Sequence, residues 1–311
     1  MKKYYLDSGC SSLLFGIKNF SNTKIIFLPE FICNNLPESL KRNKFLIRYY
    51  KIKKDLKTDW SDLKNGLRSY KNENILLLYV NFFSKINERS KFIELKKYNK
   101  IKLIEDNSHG FYLNPNKENF KKIDLLIASP KKIFSNLYGG GILYKKKNSE
   151  LDKIYKKLPH IKINFFNIMK QDIKNNLKNH NFFNRIKILK NKFINIENDK
   201  SFKGLYKMDL FSKNNLQKKK LINEFNKKKN KIIEYKKILS DFSYDEIADY
   251  TNSNNIPWYF SIIAKTDTEK KTIVKFCSTK QIINFNWPDL PKKNINKRTK
   301  SIYNKLICFP L

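Results

Sequence analysis

Apolar residues fall along this chain in two alternating rhythms. Short, nearly unbroken apolar runs of strand length occupy residues 25–28, 45–50, 75–80, 102–105, 123–128 and 142–144. Between them lie segments whose apolar positions recur at helical spacing, over residues 13–17, 34–41, 59–67 and 89–98. Ile75–Val80 shows no polar alternation, as expected of a strand covered on both faces. Strand and helix in alternation predict an α/β fold with a mainly parallel sheet. From residue 148 to 199 the chain is rich in Lys and Asn, with helical spacing at Leu151, Ile154, Tyr155 and Leu158, which predicts helices flanking the sheet. A long basic amphipathic helix follows over 215–240, with a stripe of Leu216, Leu221, Phe225, Ile232, Ile233 and Leu239. A strand over 258–264, a helix over 268–277, a strand over 282–285 and a turn at Trp287-Pro288 complete the pattern. The division this predicts is a large α/β domain over residues 1–203 and a smaller C-terminal α/β domain over 204–311.

Polar chemistry gathers at the strand ends. One strand ends in Glu105-Asp106-Asn107-Ser108-His109-Gly110, and the next in Ser129-Pro130-Lys131-Lys132, read as a loop, followed by Gly139-Gly140-Gly141. In an open α/β sheet such ends are where ligands bind. An amine and a carboxylate there suit pyridoxal 5′-phosphate, which needs a lysine for its aldehyde and an acid to keep its pyridine nitrogen protonated. Lys132 and Asp106 are the candidates, with Lys131 the rival amine. Near the N-terminus, Asp7-Ser8-Gly9-Cys10-Ser11-Ser12 is a small polar turn that opens a helix. Free backbone N–H groups and the helix dipole make such a turn a phosphate site, and Gly9, Cys10, Ser11 and Ser129 are its candidates. An ordinary serine N-cap is the other reading of the turn.

These stretches resemble the DegT/StrS-type aminotransferases, the sugar-aminotransferase branch of the fold-type I pyridoxal-phosphate enzymes. The resemblance rests on Ser8-Gly9-Cys10, Glu105-Asp106-Asn107-Ser108-His109 and Ser129-Pro130-Lys131-Lys132 with Gly139-Gly140, in the family's order and rough spacing. It selects Lys132 over Lys131, because Lys131 then takes the place of the family's Arg. It implies that His109 contacts the cofactor's phenolic oxygen and that Phe31, after the strand-ending Pro29, stacks on the cofactor; a core phenylalanine is the alternative. It also implies an amino-acid donor such as glutamate, a nucleotide-linked keto-sugar acceptor in polysaccharide or amino-sugar biosynthesis, and a cytoplasmic homodimer; relatives usually continue through another helix or two, so the C-terminal domain is expected to be short. Departures occur at Cys10, at Ser84 where relatives have a glycine, and at Leu205 where many have an asparagine that reaches the partner's phosphate. They leave open a degenerate, non-catalytic relative. Sugar dehydration, the remaining enzyme alternative, is disfavoured by Lys132, because such relatives carry histidine there.

Composition changes the picture in one respect. The formal charge is +37, which raises nucleic-acid binding as a competing function. Arginine, whose fork reads bases and phosphates, occurs only at positions 42, 48, 68, 89, 185 and 298. The excess is therefore read as lysine-rich codon bias, with no specific nucleic-acid partner. Cys10, Cys33, Cys277 and Cys308 have no zinc-ligand spacing, so no metal is expected and reduced cytosolic thiols are. No apolar run approaches the roughly 20 residues that span a bilayer.

Overall fold

A computed structural model describes every residue except 1, 21, 98–99, 113–119, 121, 135–136, 138–139, 162–204, 217, 251–254, 288–289 and 291–294. In chain order the elements are β1 (Lys2–Leu6), α1 (Gly9–Ile17), β2 (Ile25–Pro29), α2 (Asn35–Arg42), β3 (Leu46–Tyr50), α3 (Trp60–Arg68), β4 (Asn74–Val80), a 3₁₀ turn at Phe82–Ser84, α4 (Arg89–Leu95), β5 (Lys100–Asp106), β6 (Gly110–Tyr112), β7 (Leu125–Ala128), α5 (Pro130–Ile133), β8 (Gly141–Lys145) and α6 (Ser149–Lys157). After the undescribed stretch come α7 (Leu210–Asn215), α8 (Lys218–Ile238), β9 (Tyr244–Glu246), β10 (Asn255–Pro257), β11 (Tyr259–Ala264), α9 (Asp267–Thr279), α10 (Lys297–Lys305) and β12 (Leu306–Pro310).

A seven-stranded sheet runs in the order β1-β8-β7-β5-β4-β2-β3. β8 is antiparallel to both β1 and β7, and the pairings among β7, β5, β4, β2 and β3 are parallel. The unbroken apolar run of β4 is explained by its two buried faces. Leu76, Leu78 and Val80 pack with Leu13 of α1 and Leu36 and Leu40 of α2. Ile75, Leu77 and Tyr79 pack on the other face with Leu63 and Leu67 of α3 and Phe92 of α4. Alternate side chains of a strand point to opposite faces, so only an all-apolar strand satisfies both layers. Asp59 caps α3 by accepting the N–H of Asp62, as the acid before Trp60 predicts.

A second, three-stranded antiparallel sheet, β12-β11-β9, packs with α8 and α9 around Ile232, Phe260, Ile262, Ile273 and Phe309. The expected domain boundary between residues 203 and 204 lies outside the described residues, as do His180, Gly139 and most of the 148–199 stretch. His160 is described, and its Nδ1 lies 2.9 Å from the carbonyl of Met208.

Two elements differ from the sequence expectation. The expected loop at Lys131 and Lys132 is a helical turn, because Pro130 at its first position has its φ set for helix and its carbonyl accepts the N–H of Phe134 at 2.8 Å. The expected strand over 282–285 reduces to a bridge between Phe285 and Cys308, on the edge of β12 opposite β11. The helix expected over 215–240 is α8, preceded by the short α7 that Asp209 caps. The strand expected over 258–264 is β11, paired with β12 and β9; β10, paired with β6, precedes it, and Trp258 stands between them.

Candidate active site

β5 is an interior strand whose last residue, Asp106, lies in register with Val80 of β4 and Ile127 of β7. Asp106 Oδ1 accepts the N–H of Ser108 at 2.8 Å. Burial raises its carboxyl above the usual range, against the pull of the Ser108 hydrogen bond and the Lys132 charge. Glu105, one residue earlier, points to the other face and is fully buried. It accepts two bonds from Arg89 at 2.7 and 2.8 Å, and others from Tyr79 at 2.6 Å, Asn81 at 2.7 Å and Tyr112 at 2.7 Å. A buried carboxylate satisfied this fully anchors the strand end that carries Asp106.

Lys132 extends from α5, and its backbone N–H is bonded to the Ser129 carbonyl at 2.9 Å. Its Nζ lies 4.4 Å from the centre of a Trp258 indole ring. The Lys132 charge reaches Asp106, Cys10 and His109, biasing the titration of each. His109 is 4% exposed. Its ring is boxed by Phe82 at 6.0 Å, Phe83 at 5.3 Å, Trp258 at 5.6 Å and Trp287 at 4.8 Å between centroids. Burial first, and the Lys132 charge second, push its pKa well below the ordinary 6.5. The imidazole is neutral at pH 7, and its buried Nδ1 has no hydrogen-bond partner among the described residues.

The N-terminal turn meets these elements. Ser8 caps α1 by accepting the N–H of Ser11 at 3.1 Å, so the capping reading of the turn is correct as far as Ser8 goes. Ser11 is fully buried and its hydroxyl is 2.9 Å from that of Ser8. A Cβ on Gly9 would sit 3.2 Å from Ser108 Oγ and 3.5 Å from Ser129 Cβ, so the first turn of α1, the end of β5 and the start of α5 converge. The glycines of the triplet serve the same convergence. A Cβ on Gly141 would lie 1.8 Å from the Ser8 carbonyl oxygen, and one on Gly140 would lie 2.8 Å from the Lys131 nitrogen. Ser129 Oγ donates to the Gly140 carbonyl at 3.2 Å, and Gly140 N donates to that of Asp7 at 2.8 Å. Burial, with Cys33 nearby, pushes the Cys10 thiol up to about 12, which keeps it protonated and poorly nucleophilic.

Phe31 departs from the expected stacking position. It is fully buried, stacked on Trp287 at 5.2 Å and 25° and edge-on to Phe82 at 5.4 Å, so the core alternative describes it. Ser84, where the family resemblance expects glycine, has the left-handed backbone that favours glycine: its φ is 70°, after Phe83 at 49°. The sequence reading missed Trp258, Asn255 and the Glu105–Arg89 pair. Asn255 and Asn107 exchange hydrogen bonds at 2.9 and 3.0 Å, 148 residues apart. Nothing local marks such partners, although Trp258 is one of just three tryptophans.

The donor set fits pyridoxal phosphate. It offers an amine, a half-buried carboxylate, a neutral imidazole with a nitrogen unpartnered among the described residues, and a glycine-opened helix N-terminus beside Ser108 and Ser129. Among the described residues no His/Cys/Asp/Glu group could hold a metal, and no helix is long and apolar enough to cross a membrane.

The fold is that of the fold-type I pyridoxal-phosphate transferases, a mainly parallel sheet layered with helices. Within that class it is the fold of the DegT/StrS-type aminotransferases. A DegT/DnrJ/EryC1/StrS aminotransferase from Brucella abortus superposes with a TM-score of 0.64 at 10% identity, over 100% of this chain and 81% of its own. PseC of Helicobacter pylori, an aminotransferase of pseudoaminic acid biosynthesis, gives 0.65 at 16% identity, over 100% and 81%. NtdA of Bacillus subtilis, solved with bound cofactor PMP, gives 0.66 at 14% identity, over 100% and 69%. No protein-family model matches the sequence, and no curated protein matches it at a significant level.

Proposed function

We propose that this protein is a pyridoxal-phosphate-dependent aminotransferase that moves an amino group from an amino acid, glutamate by preference, to the keto group of a nucleotide-linked sugar. The observation that carries the reading is the meeting of Lys132, Asp106 and His109 where β5 and β7 end, in a chain with the sugar-aminotransferase fold. The cofactor, when bound, supplies an electron sink for the electrons of a breaking C–H bond. Lys132 would hold it through the amine and, once displaced by the substrate's amine, carry the proton that is moved. Asp106, half-buried and within reach of the Lys132 charge, would keep the ring nitrogen protonated. His109 Nδ1 would orient the ring's oxygen, and the α1 turn with Gly9, Cys10, Ser11 and Ser129 would receive the phosphate. The cationic surface would draw in the anionic sugar nucleotide.

The test is the absorbance spectrum of the protein with pyridoxal phosphate before and after borohydride, followed by peptide mapping. The adduct is expected on Lys132; an adduct on Lys131, or none, overturns the assignment. Asp106→Asn should keep weak cofactor binding and lose transamination by at least about 100-fold, a general acid–base and electronic effect. Normal turnover in that variant would remove Asp106 from its role.

A further inference from the structure

Trp258 occupies an unusual point in the chain. It is the single residue between β10, which pairs with β6, and β11, which belongs to the C-terminal sheet. Both sides of it are pinned. Its backbone N–H donates to the His109 carbonyl at 3.0 Å. Pro257 lies in register with Gly110, and Asn255 is locked to Asn107 by the reciprocal amide bonds. The ring is also held, stacked on Tyr259 at 4.2 Å and 26°, with the His109 ring 5.6 Å away. A ring this constrained presents one fixed face, and the amine of Lys132 lies 4.4 Å from its centre. The lysine is the opposite case. Its four-carbon stem has many rotamers, and its α5 turn fixes only the backbone.

From this we infer that Trp258 is the positioning residue for Lys132: its indole face fixes where the amine stands, so that the C-terminal part of the chain completes a site whose reacting groups come from the large sheet. The inference rests on the proposed cofactor chemistry, and it concerns the delivery of the amine, not the binding of the cofactor. The cation's attraction to the indole face holds the side chain in place at rest, and correct placement of the reacting nitrogen changes rates by roughly tenfold or more. In the step concerned, the Lys132 ammonium would first release one proton to solvent; the neutral nitrogen would then bond to the aldehyde carbon, and the aldehyde oxygen would leave as water with the two protons that remained on the amine. Nothing is oxidised until borohydride reduces the product to a stable C–N single bond.

The experiment compares the full-length protein with Trp258→Leu and Trp258→Phe, using two probes. Pyridoxal 5′-phosphate reports covalent capture, followed by its absorbance change and fixed by borohydride. Pyridoxine 5′-phosphate has no aldehyde and reports non-covalent binding alone. We expect Trp258→Leu to bind pyridoxine phosphate within about twofold of the parent and to capture pyridoxal phosphate about tenfold more slowly, with Trp258→Phe about threefold slower. Capture at the parental rate in Trp258→Leu overturns the inference, as does an equal loss of binding and capture, the mark of a merely structural role. If Trp258→Leu does not fold, parental capture by Trp258→Phe overturns it. A parental adduct on a lysine other than Lys132 overturns the proposed function itself. An adduct on Lys132 with capture indifferent to Trp258 overturns only this inference.

Discussion

Inside its box of Phe82, Phe83, Trp258 and Trp287, the His109 imidazole is held uncharged by burial. This has a consequence for stability against pH. In the unfolded chain a histidine titrates near about 6.5. Between that value and the much lower folded one, the unfolded state binds a proton that the folded state does not. Stability from this group is therefore present above about pH 6.5 and lost as pH falls below it, by at most about 1.4 kcal/mol per pH unit. Asp106 acts with the opposite sign in a lower window: its raised carboxyl lets the folded state bind the extra proton just above the usual carboxylate range. His109→Phe should flatten the fall of the urea midpoint between about pH 7 and pH 5. An unchanged slope would show that the imidazole is already protonated in the folded protein. Ser84 gives a different lesson at this scale. The sequence shows a missing glycine, yet the backbone takes the left-handed φ of 70° that glycine favours, and Ser84 Oγ donates to the His109 carbonyl at 3.3 Å. A residue's departure from a family pattern is visible in sequence, but whether the backbone departs with it is not.

Elements that stand on local rules were legible. The cap at Asp59, the two-faced strand β4, the strand ends at Asp106 and Ser129 and the glycine-rich entry to β8 follow from residue type and spacing. The reason for the glycines was not legible, because it lies in the carbonyl of Ser8, more than a hundred residues away in sequence. Gly141→Ala is the corresponding prediction. Its Cβ would meet the Ser8 oxygen at 1.8 Å, backbone against backbone, with no flexible side chain to yield. The loss should be at least about 3 kcal/mol in equilibrium unfolding, as for severe overpacking. Near-parental stability would mean that β8 and the α1 turn can separate. The stretch 255–264 shows a related limit, for its strand β11 was legible and β10 just before it was not. Its apolar run gives no sign that Trp258 separates two sheets, since sheet membership is set by the partners, β6 on one side and β12 on the other.

For the molecule as a whole, the +37 charge should act through long-range attraction and not through a specific nucleic-acid interface. Titration with random and selected oligonucleotides at about 150 mM salt, where exposed charges are strongly screened, should give dissociation constants of about 10⁻⁴ to 10⁻⁶ M without sequence preference. A nanomolar, sequence-dependent complex would promote the binding-protein alternative above the enzyme. What the sequence alone determined is the α/β alternation and the frame of Asp106, Ser129 and Lys132, because strand periodicity, turn chemistry and motif spacing act between near neighbours in the chain. Only the tertiary structure decided that Phe31 joins the core, that Asn255 locks to Asn107 and that Trp258 covers the Lys132 amine. Those contacts join residues whose separation along the chain carries no periodic trace, and the Asn255 and Trp258 contacts flank or belong to the pairing of β10 with β6.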